Sequence, residues 1–157
     1  SKYYYPRDRK LSETSLVKSS LYSKYKFGFS KTVTIDSFIN KNKIKSVNFI
    51  KIDAEFYEKN ILIGAKKTIE KLHPTFMFEY NFKSKDGLKY QYLKKIFLKK
   101  YKIYLLKRKI NLFFYSYDLV KVTRQKQLSN YEGLLLVTRK NNIKLFNYWF
   151  NFFFLSL

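Results

Sequence analysis

The chain has 157 residues, with 33 Lys and Arg against 11 Asp and Glu, which gives a formal charge of +22, and 46% of its residues are hydrophobic. This is the length of one domain with enough apolar residues for a core, so intrinsic disorder is excluded despite the charge. The lack of Cys and the single His exclude a disulfide scaffold, a thiol nucleophile and a multi-His metal site.

The positive charge is carried by 28 Lys and only 5 Arg. Readout of phosphate and guanine favours bidentate Arg, so nucleic acid is an unfavoured partner. Lys, Asn, Phe, Tyr and Ile all have codons rich in A and T, which accounts for part of the basic excess. The start of the chain lacks the pattern of a signal peptide, so we expect a cytoplasmic domain. Because Ser1 rather than Met comes first, we also expect a fragment of a longer protein.

Residues 1–30 are rich in Ser, Tyr and Lys and show neither a helical nor a strand period, so they are predicted to be irregular. A short β-branched run follows at residues 32–35. Residues 36–42 are predicted to form a short helix, with Thr34 as its N-cap and Asp36 in its first turn, where a carboxylate favours the helix dipole.

The middle of the chain predicts a strand, a helix and a second strand. Residues 47–52 are apolar and β-prone, residues 57–72 carry apolar side chains on one helical face, and residues 75–80 form another apolar run. Pro74 ends the helix because it cannot continue the hydrogen-bond ladder. Two strands joined by one helix are expected to lie parallel with a right-handed crossover.

Residues 86–87, Asp-Gly, are predicted to interrupt the regular secondary structure. After them the pattern predicts a second amphipathic helix over residues 88–100. The remaining predicted strands are 102–106, 112–115 and 134–138, with a polar loop over 121–131.

The tail, residues 143–157, is almost entirely apolar and aromatic. It is shorter than the ~20 residues that a membrane-spanning helix needs. We expect the tail to form a helix packed on the domain. The alternative is a helix that lies at a membrane interface, in which case the tail would contact the membrane.

Acidic residues follow both strands of the central unit. Asp53 and Glu55 come directly after the first strand, and Glu79 ends the second. In open parallel sheets, ligands bind beyond the carboxyl ends of the strands, so these carboxylates are expected to converge on one groove. They could then accept hydrogen bonds from a substrate hydroxyl or act as a general base. The alternative, equally weighted on the residues alone, is that Asp53 and Glu55 only cap the following helix.

The segment from Ser46 to Tyr80 resembles the core of the FkbM-type methyltransferase family. That family has Lys-Ile-Asp, a small or aliphatic residue and Glu-Gly, then a further Glu, a helix with Leu-x-Gly-Ala, a Pro and a strand ending in Glu. Upstream, Thr34-Ile35-Asp36 is similar to the family's Thr-Leu-Asp, and residues 130–137 resemble its closing strand. The matching residues of the central motif are Lys51, Ile52, Asp53, Glu55, Glu58, Leu62, Gly64, Ala65, Pro74 and Glu79.

The resemblance implies a class I, S-adenosylmethionine-dependent O-methyltransferase that acts on a hydroxyl of a sugar, glycan or secondary metabolite. It implies an α/β fold: the C-terminal half of a Rossmann-like sheet, mostly parallel, with an antiparallel strand near one edge. Residues 31–140 would form this part of the domain, between the irregular segment 1–30 and the tail 141–157. The family's Gly-rich cofactor loop and ribose-binding acid precede the matched elements, so we expect weak S-adenosylmethionine binding at most.

The resemblance also assigns roles to individual residues. Asp53 and Glu55 are the candidate catalytic residues, with Asp53 as base or hydroxyl-orienting group and Glu55 as a substrate-side acceptor. The candidate substrate-binding residues are Lys51, as the electrostatic partner of the carboxylates, and Glu79 with the adjacent Tyr80. For Glu58, a role at the positive end of the helix is favoured over catalysis.

One departure from the family is Phe56, which stands where the motif has Gly. If that Gly needs a positive φ or lets a ligand approach the backbone, Phe is strained there or blocks the pocket. The alternative function is therefore a degenerate, non-catalytic binding module, and a basic nucleic-acid-binding domain is the third candidate. The first strand of the unit is also expected to form an apolar sheet edge.

Overall fold

The computed structural model describes residues 1–6, 16, 25–54, 56–82, 88–97, 100–110 and 115–139. Glu55 and the predicted tail over residues 143–157 lie outside these ranges. The strands are β1 (Lys2–Pro6), β2 (Tyr25–Phe29), β3 (Phe49–Ile52), β4 (Thr75–Asn81), β5 (Lys102–Ile110), β6 (Tyr115–Lys121) and β7 (Glu132–Thr138). The helices are α1 (Ile35–Lys41), α2 (Glu58–Ile63), α3 (Lys66–Lys71) and α4 (Tyr90–Phe97), and Gln125–Leu128 form a 3-10 helix.

The main sheet has five strands in the order β3-β4-β7-β5-β6. Strands β3 and β4 are parallel, as predicted, whereas β4–β7, β7–β5 and β5–β6 are antiparallel. The fold is α/β, but the expectation of a mostly parallel, Rossmann-like sheet is wrong. Two features produce the antiparallel pairs: β7 returns between β4 and β5, and the short link between β5 and β6 permits only an antiparallel hairpin. Within the described residues β3 pairs only with β4, so it forms an edge of this sheet, as expected.

The start of the chain is more ordered than predicted. Strands β1 and β2 form a separate antiparallel pair, with Lys2 opposite Phe29, so the irregular assignment is wrong at residues 2–6 and 25–29. For residues 7–15 and 17–24 this prediction lies outside the described ranges. The Tyr-rich sequence of β1 favours this extended conformation. The β-branched run over residues 32–35 is not a strand, because its last residue already begins α1. Thr34 is the N-cap, as predicted, and its hydroxyl accepts a hydrogen bond from the Ser37 N–H at 3.1 Å.

The predicted helix over residues 57–72 is broken into α2 and α3 at Gly64 and Ala65. A Cβ added at Gly64 would lie 3.0 Å from the Cβ of Thr34, so the start of α1 approaches this break closely. The Asp36 N–H donates to the Gly64 carbonyl at 2.9 Å and links the two segments. Ala65 is fully buried beneath them. The break therefore positions α1 against α3.

The helices pack on one face of the sheet. Buried residues of α2, α3 and α4 meet Ile52, Phe76 and Phe78 there, and Phe97 of α4 packs against both phenylalanines. On the other face, a smaller cluster consists of strand residues. Its members are Met77, Tyr104, Leu106, Tyr117, Leu119, Leu134 and Leu136.

The last third follows the prediction in outline, with shifted boundaries. The predicted strand 102–106 extends to residue 110, and the predicted loop contains the 3-10 helix. Of the strand predicted at 112–115, residues 112–114 lie outside the described ranges and residue 115 belongs to β6. Strands β4 and β7 are also joined by a buried hydrogen bond of 2.7 Å between the hydroxyls of Thr75 and Thr138. Among the residues described, no helix combines the length and the apolar character needed to cross a bilayer.

Candidate active-site turn after strand β3

The chain leaves β3 through a tight turn. The Tyr57 N–H donates to the Ala54 carbonyl at 3.0 Å, which places Phe56 at the third position of a four-residue turn. Phe56 has φ of 74°, the left-handed conformation that favours Gly at this position. The position that holds Gly in the family motif therefore does require a positive φ, and Phe56 adopts it at a cost of about 1–2 kcal/mol.

Glu58 holds this turn in place. Its side chain is buried, with 4% of its surface exposed, and its Oε1 accepts hydrogen bonds from the N–H groups of Ala54 (3.3 Å) and Phe56 (3.2 Å). Burial raises the pKa of Glu58 above its ordinary value, although these hydrogen bonds lower it, and repulsion from Glu79 adds to the rise. A buried carboxylate that spans the turn was missed from the sequence. The sequence feature that could have indicated it is a Glu two residues after Phe56, the position that holds Gly in the family motif.

Three of the predicted site residues share one face of the sheet. The Lys51 ammonium contacts the Asp53 carboxylate at 3.0 Å, and both side chains are about half exposed. Lys51 is in register with Met77 and Ile52 with Phe78, where the pairing of β3 with β4 ends. Asp53 and Glu79 are the residues that follow this last pair on the two segments. Glu79 is exposed and lies opposite Leu134, a member of the strand-only cluster. Lys51, Asp53 and Glu79 therefore face away from the helices.

The other two predicted site residues do not join this group. Tyr80 is 6% exposed and packs in the core on the helical side, because neighbouring residues of a strand point to opposite faces. Burial raises the pKa of its phenol. Glu55 lies outside the described residues. Position therefore groups Lys51, Asp53 and Glu79, and separates Tyr80 from them.

A cavity of about 840 Å³ opens on the other side of the turn. The turn and α2 contribute Ala54 and Tyr57 to its wall, and Thr34 comes from the segment before α1. Neither Asp53 nor Glu79 lines it. Among the described residues, none that lines this cavity is charged: they are Tyr3, Leu16, Phe29, Ser30, Thr32, Val33, Thr34, Ile35, Ala54, Tyr57, Asn60, Ile61 and Gly64.

Asp36 has a structural task that the sequence did not reveal. Its carboxylate accepts hydrogen bonds from the N–H of Lys67 and from both the N–H and the hydroxyl of Thr68, at 2.7 to 2.9 Å. It therefore caps α3 from a distance of about thirty residues in sequence, besides lying in the first turn of its own helix. Burial raises the pKa of Asp36, but the hydrogen bonds from Thr68 and Lys67 outweigh it and leave the pKa below its ordinary value.

The fold and the turn define an α/β protein with a Lys-Ile-Asp strand end, a glycine-type turn and a buried Glu that closes it. A family model described as the methyltransferase FkbM domain matches residues 8–107, well over half of the 157 residues. The chain belongs to this family, as the resemblance of the Ser46–Tyr80 segment implied. Comparisons with curated proteins and with solved structures give no match.

Proposed function

We propose that the chain supplies the acceptor side of an S-adenosylmethionine-dependent O-methyltransferase that acts on a hydroxyl of a sugar, glycan or secondary metabolite. Membership of the FkbM methyltransferase family supports the reaction class. The proposed site is supported by the 3.0 Å ion pair of Lys51 and Asp53 directly after β3, and by Glu79, which follows the registered pair Ile52 and Phe78 on the parallel strand β4. Ligands of open α/β sheets bind at such ends.

The proposed chemistry uses the exposed carboxylate of Asp53. A hydroxyl that receives a methyl group must be oriented and must lose its proton, and an exposed carboxylate can accept that hydrogen bond. The Lys51 ammonium, 3.0 Å from this carboxylate, limits the directions from which a hydroxyl can approach it. Glu79 on the neighbouring strand offers a second acceptor for another hydroxyl of the same substrate. Glu55 keeps the role of acceptor that the family motif implies.

The described residues do not fit S-adenosylmethionine. That molecule carries a sulfonium, an ammonium, a carboxylate and a ribose diol, which call for charged partners. The described residues that line the cavity beside the turn offer hydroxyl, amide, aromatic and aliphatic groups only. Phe56 also places a bulky side chain at the position that holds Gly in the family motif. A binding surface for the cofactor would have to come from residues other than those described.

The second candidate function is a non-catalytic binding module of methyltransferase origin. It is favoured by the strained Phe56 at the glycine position and by a large cavity whose described lining residues carry no charge. Such a cavity suits a neutral ring compound held by Tyr57 and Asn60 rather than a charged cofactor.

A labelled-methyl assay separates the two candidates. The purified chain is incubated with methyl-labelled S-adenosylmethionine at high concentration, to offset weak binding, and with a panel of monosaccharides, oligosaccharides and hydroxylated secondary metabolites. We expect label to appear in at least one acceptor as a methyl ether. If the folded chain transfers no label to any of them, and the F56G variant transfers none either, the catalytic proposal is wrong and the binding module stands.

A further inference from the structure

A second groove lies between α1 and α3, apart from the turn and its cavity. It has a volume of about 580 Å³ and shares no lining residue with the cavity beside Phe56. Four lysines line it, from the segment after α1 and from α3. They are Lys43, Lys45, Lys67 and Lys71.

Of the described residues in this lining, Asp36 is the one acid, and its carboxylate is already engaged by the N–H groups of Lys67 and Thr68 in capping α3. Within the part of the chain that the structure describes, no salt bridge neutralises the ammonium groups of the four lysines. Like charges gathered around one concavity repel one another, and a bound anion relieves that repulsion. The groove therefore favours a negatively charged occupant.

The backbone fixes two of the lysines. The Ile44 N–H donates to the Ile39 carbonyl at 3.0 Å and the Lys43 N–H to the Asn40 carbonyl at 3.1 Å, which is the Schellman pattern at a helix end. Lys43 takes the left-handed position, with φ of 54°, where Gly is usual. The chain thus turns sharply after α1 and brings Lys43 and Lys45 opposite Lys71.

We propose that this groove binds a small molecule that carries a phosphate or diphosphate group. The volume lies within the range typical of small-molecule sites. Ile39, Ile44 and Leu72 supply an apolar floor for the carbon part of the ligand. The described residues of the lining include no aromatic side chain for stacking bases and no Arg for reading guanine, so a small molecule is favoured over nucleic acid. The proposal does not depend on methyl transfer.

The test is calorimetric titration of the full chain with pyrophosphate at low salt. The double variant K45Q/K71Q removes two groove charges and leaves Lys67 beside Asp36 and the strained Lys43 unchanged. The control variant K94Q/K95Q removes two exposed charges from α4, outside the groove. We expect K45Q/K71Q to weaken pyrophosphate binding by about tenfold or more, since each charge-assisted hydrogen bond contributes strongly, and K94Q/K95Q to change it by less than about twofold.

Two results would overturn the proposal. Equal weakening by both double variants would show only the general attraction of a strongly basic chain for anions. A single-stranded oligonucleotide that binds more tightly than pyrophosphate, and loses that binding in K45Q/K71Q, would assign the groove to nucleic acid. Urea midpoints of both variants check that the fold is intact, because all four substituted side chains are exposed.

Discussion

Phe56 offers a direct test of the turn, through the stabilities of F56G and F56A. Both variants lose the same aromatic ring, so their difference isolates the backbone conformation. At a φ of 74°, the left-handed conformation costs Ala about 1–2 kcal/mol of folded-state free energy, whereas it costs Gly none. Gly loses about 0.4–1 kcal/mol more backbone entropy on folding than Ala. F56G should therefore be more stable than F56A by about 0.5–1 kcal/mol.

The matched control is Glu70, an exposed residue inside α3. There the usual order holds, and E70A should be more stable than E70G by about 1 kcal/mol. Urea denaturation of the four variants gives both differences, provided the slope m is unchanged within each pair. If F56A is as stable as F56G or more stable, the turn does not hold a positive φ, and the structural link between Phe56 and the family's glycine is refuted.

Three further predictions concern the carboxylates and the cofactor. E58A should cost about 2–3 kcal/mol, because it leaves the N–H groups of Ala54 and Phe56 without their buried acceptor. Because the folded pKa of Glu58 is raised, the wild type should lose stability as the pH rises from 4.5 through that pKa, and E58Q should lack this slope in urea midpoints. Asp36 gives stability the opposite pH dependence, because its folded pKa is lowered: its contribution is present above pH 3.8 and is lost as the pH falls through the folded pKa. D36A should therefore lower the free energy of unfolding at neutral pH by about 1 kcal/mol. Calorimetric titration with S-adenosylmethionine should show weak or no binding. Tight binding would contradict the conclusion that the described residues do not fit this cofactor.

The sequence predicted what depends on local pattern. Hydrophobic period, capping chemistry and the end of the helix before Pro74 account for three correct predictions. They are the parallel pair β3 and β4, the Thr34 cap and the succession of the later strands along the chain. The antiparallel pairing of most strands could not be predicted in this way, because the insertion of β7 between β4 and β5 is a long-range arrangement that no local sequence window contains. The break at Gly64 was also missed, since its cause is the approach of Thr34 from another element.

The roles of the candidate site residues and their convergence on one groove stay predictions. The alternation of the strands puts Lys51 and Glu79 on the face opposite the helices, with Asp53 in contact with Lys51, but the same alternation turns Tyr80 into the core. The task of Glu58 depends on burial, which its charge argued against. The lysine groove could not be found by pattern, because Lys43 and Lys71 are brought together only by the packing of α1 on α3.

The most direct test of the proposed site compares two surface ion pairs of nearly equal geometry. Lys51 and Asp53 lie 3.0 Å apart with side chains 54% and 52% exposed, and Lys109 and Asp118 lie 3.1 Å apart with 62% and 53% exposed. Initial rates of labelled methyl transfer are measured for D53N and D118N against the best acceptor. If Asp53 receives the hydroxyl proton, D53N should lower the rate by about a hundredfold or more, while D118N leaves it unchanged. Equal rates in the two variants would contradict the role of Asp53.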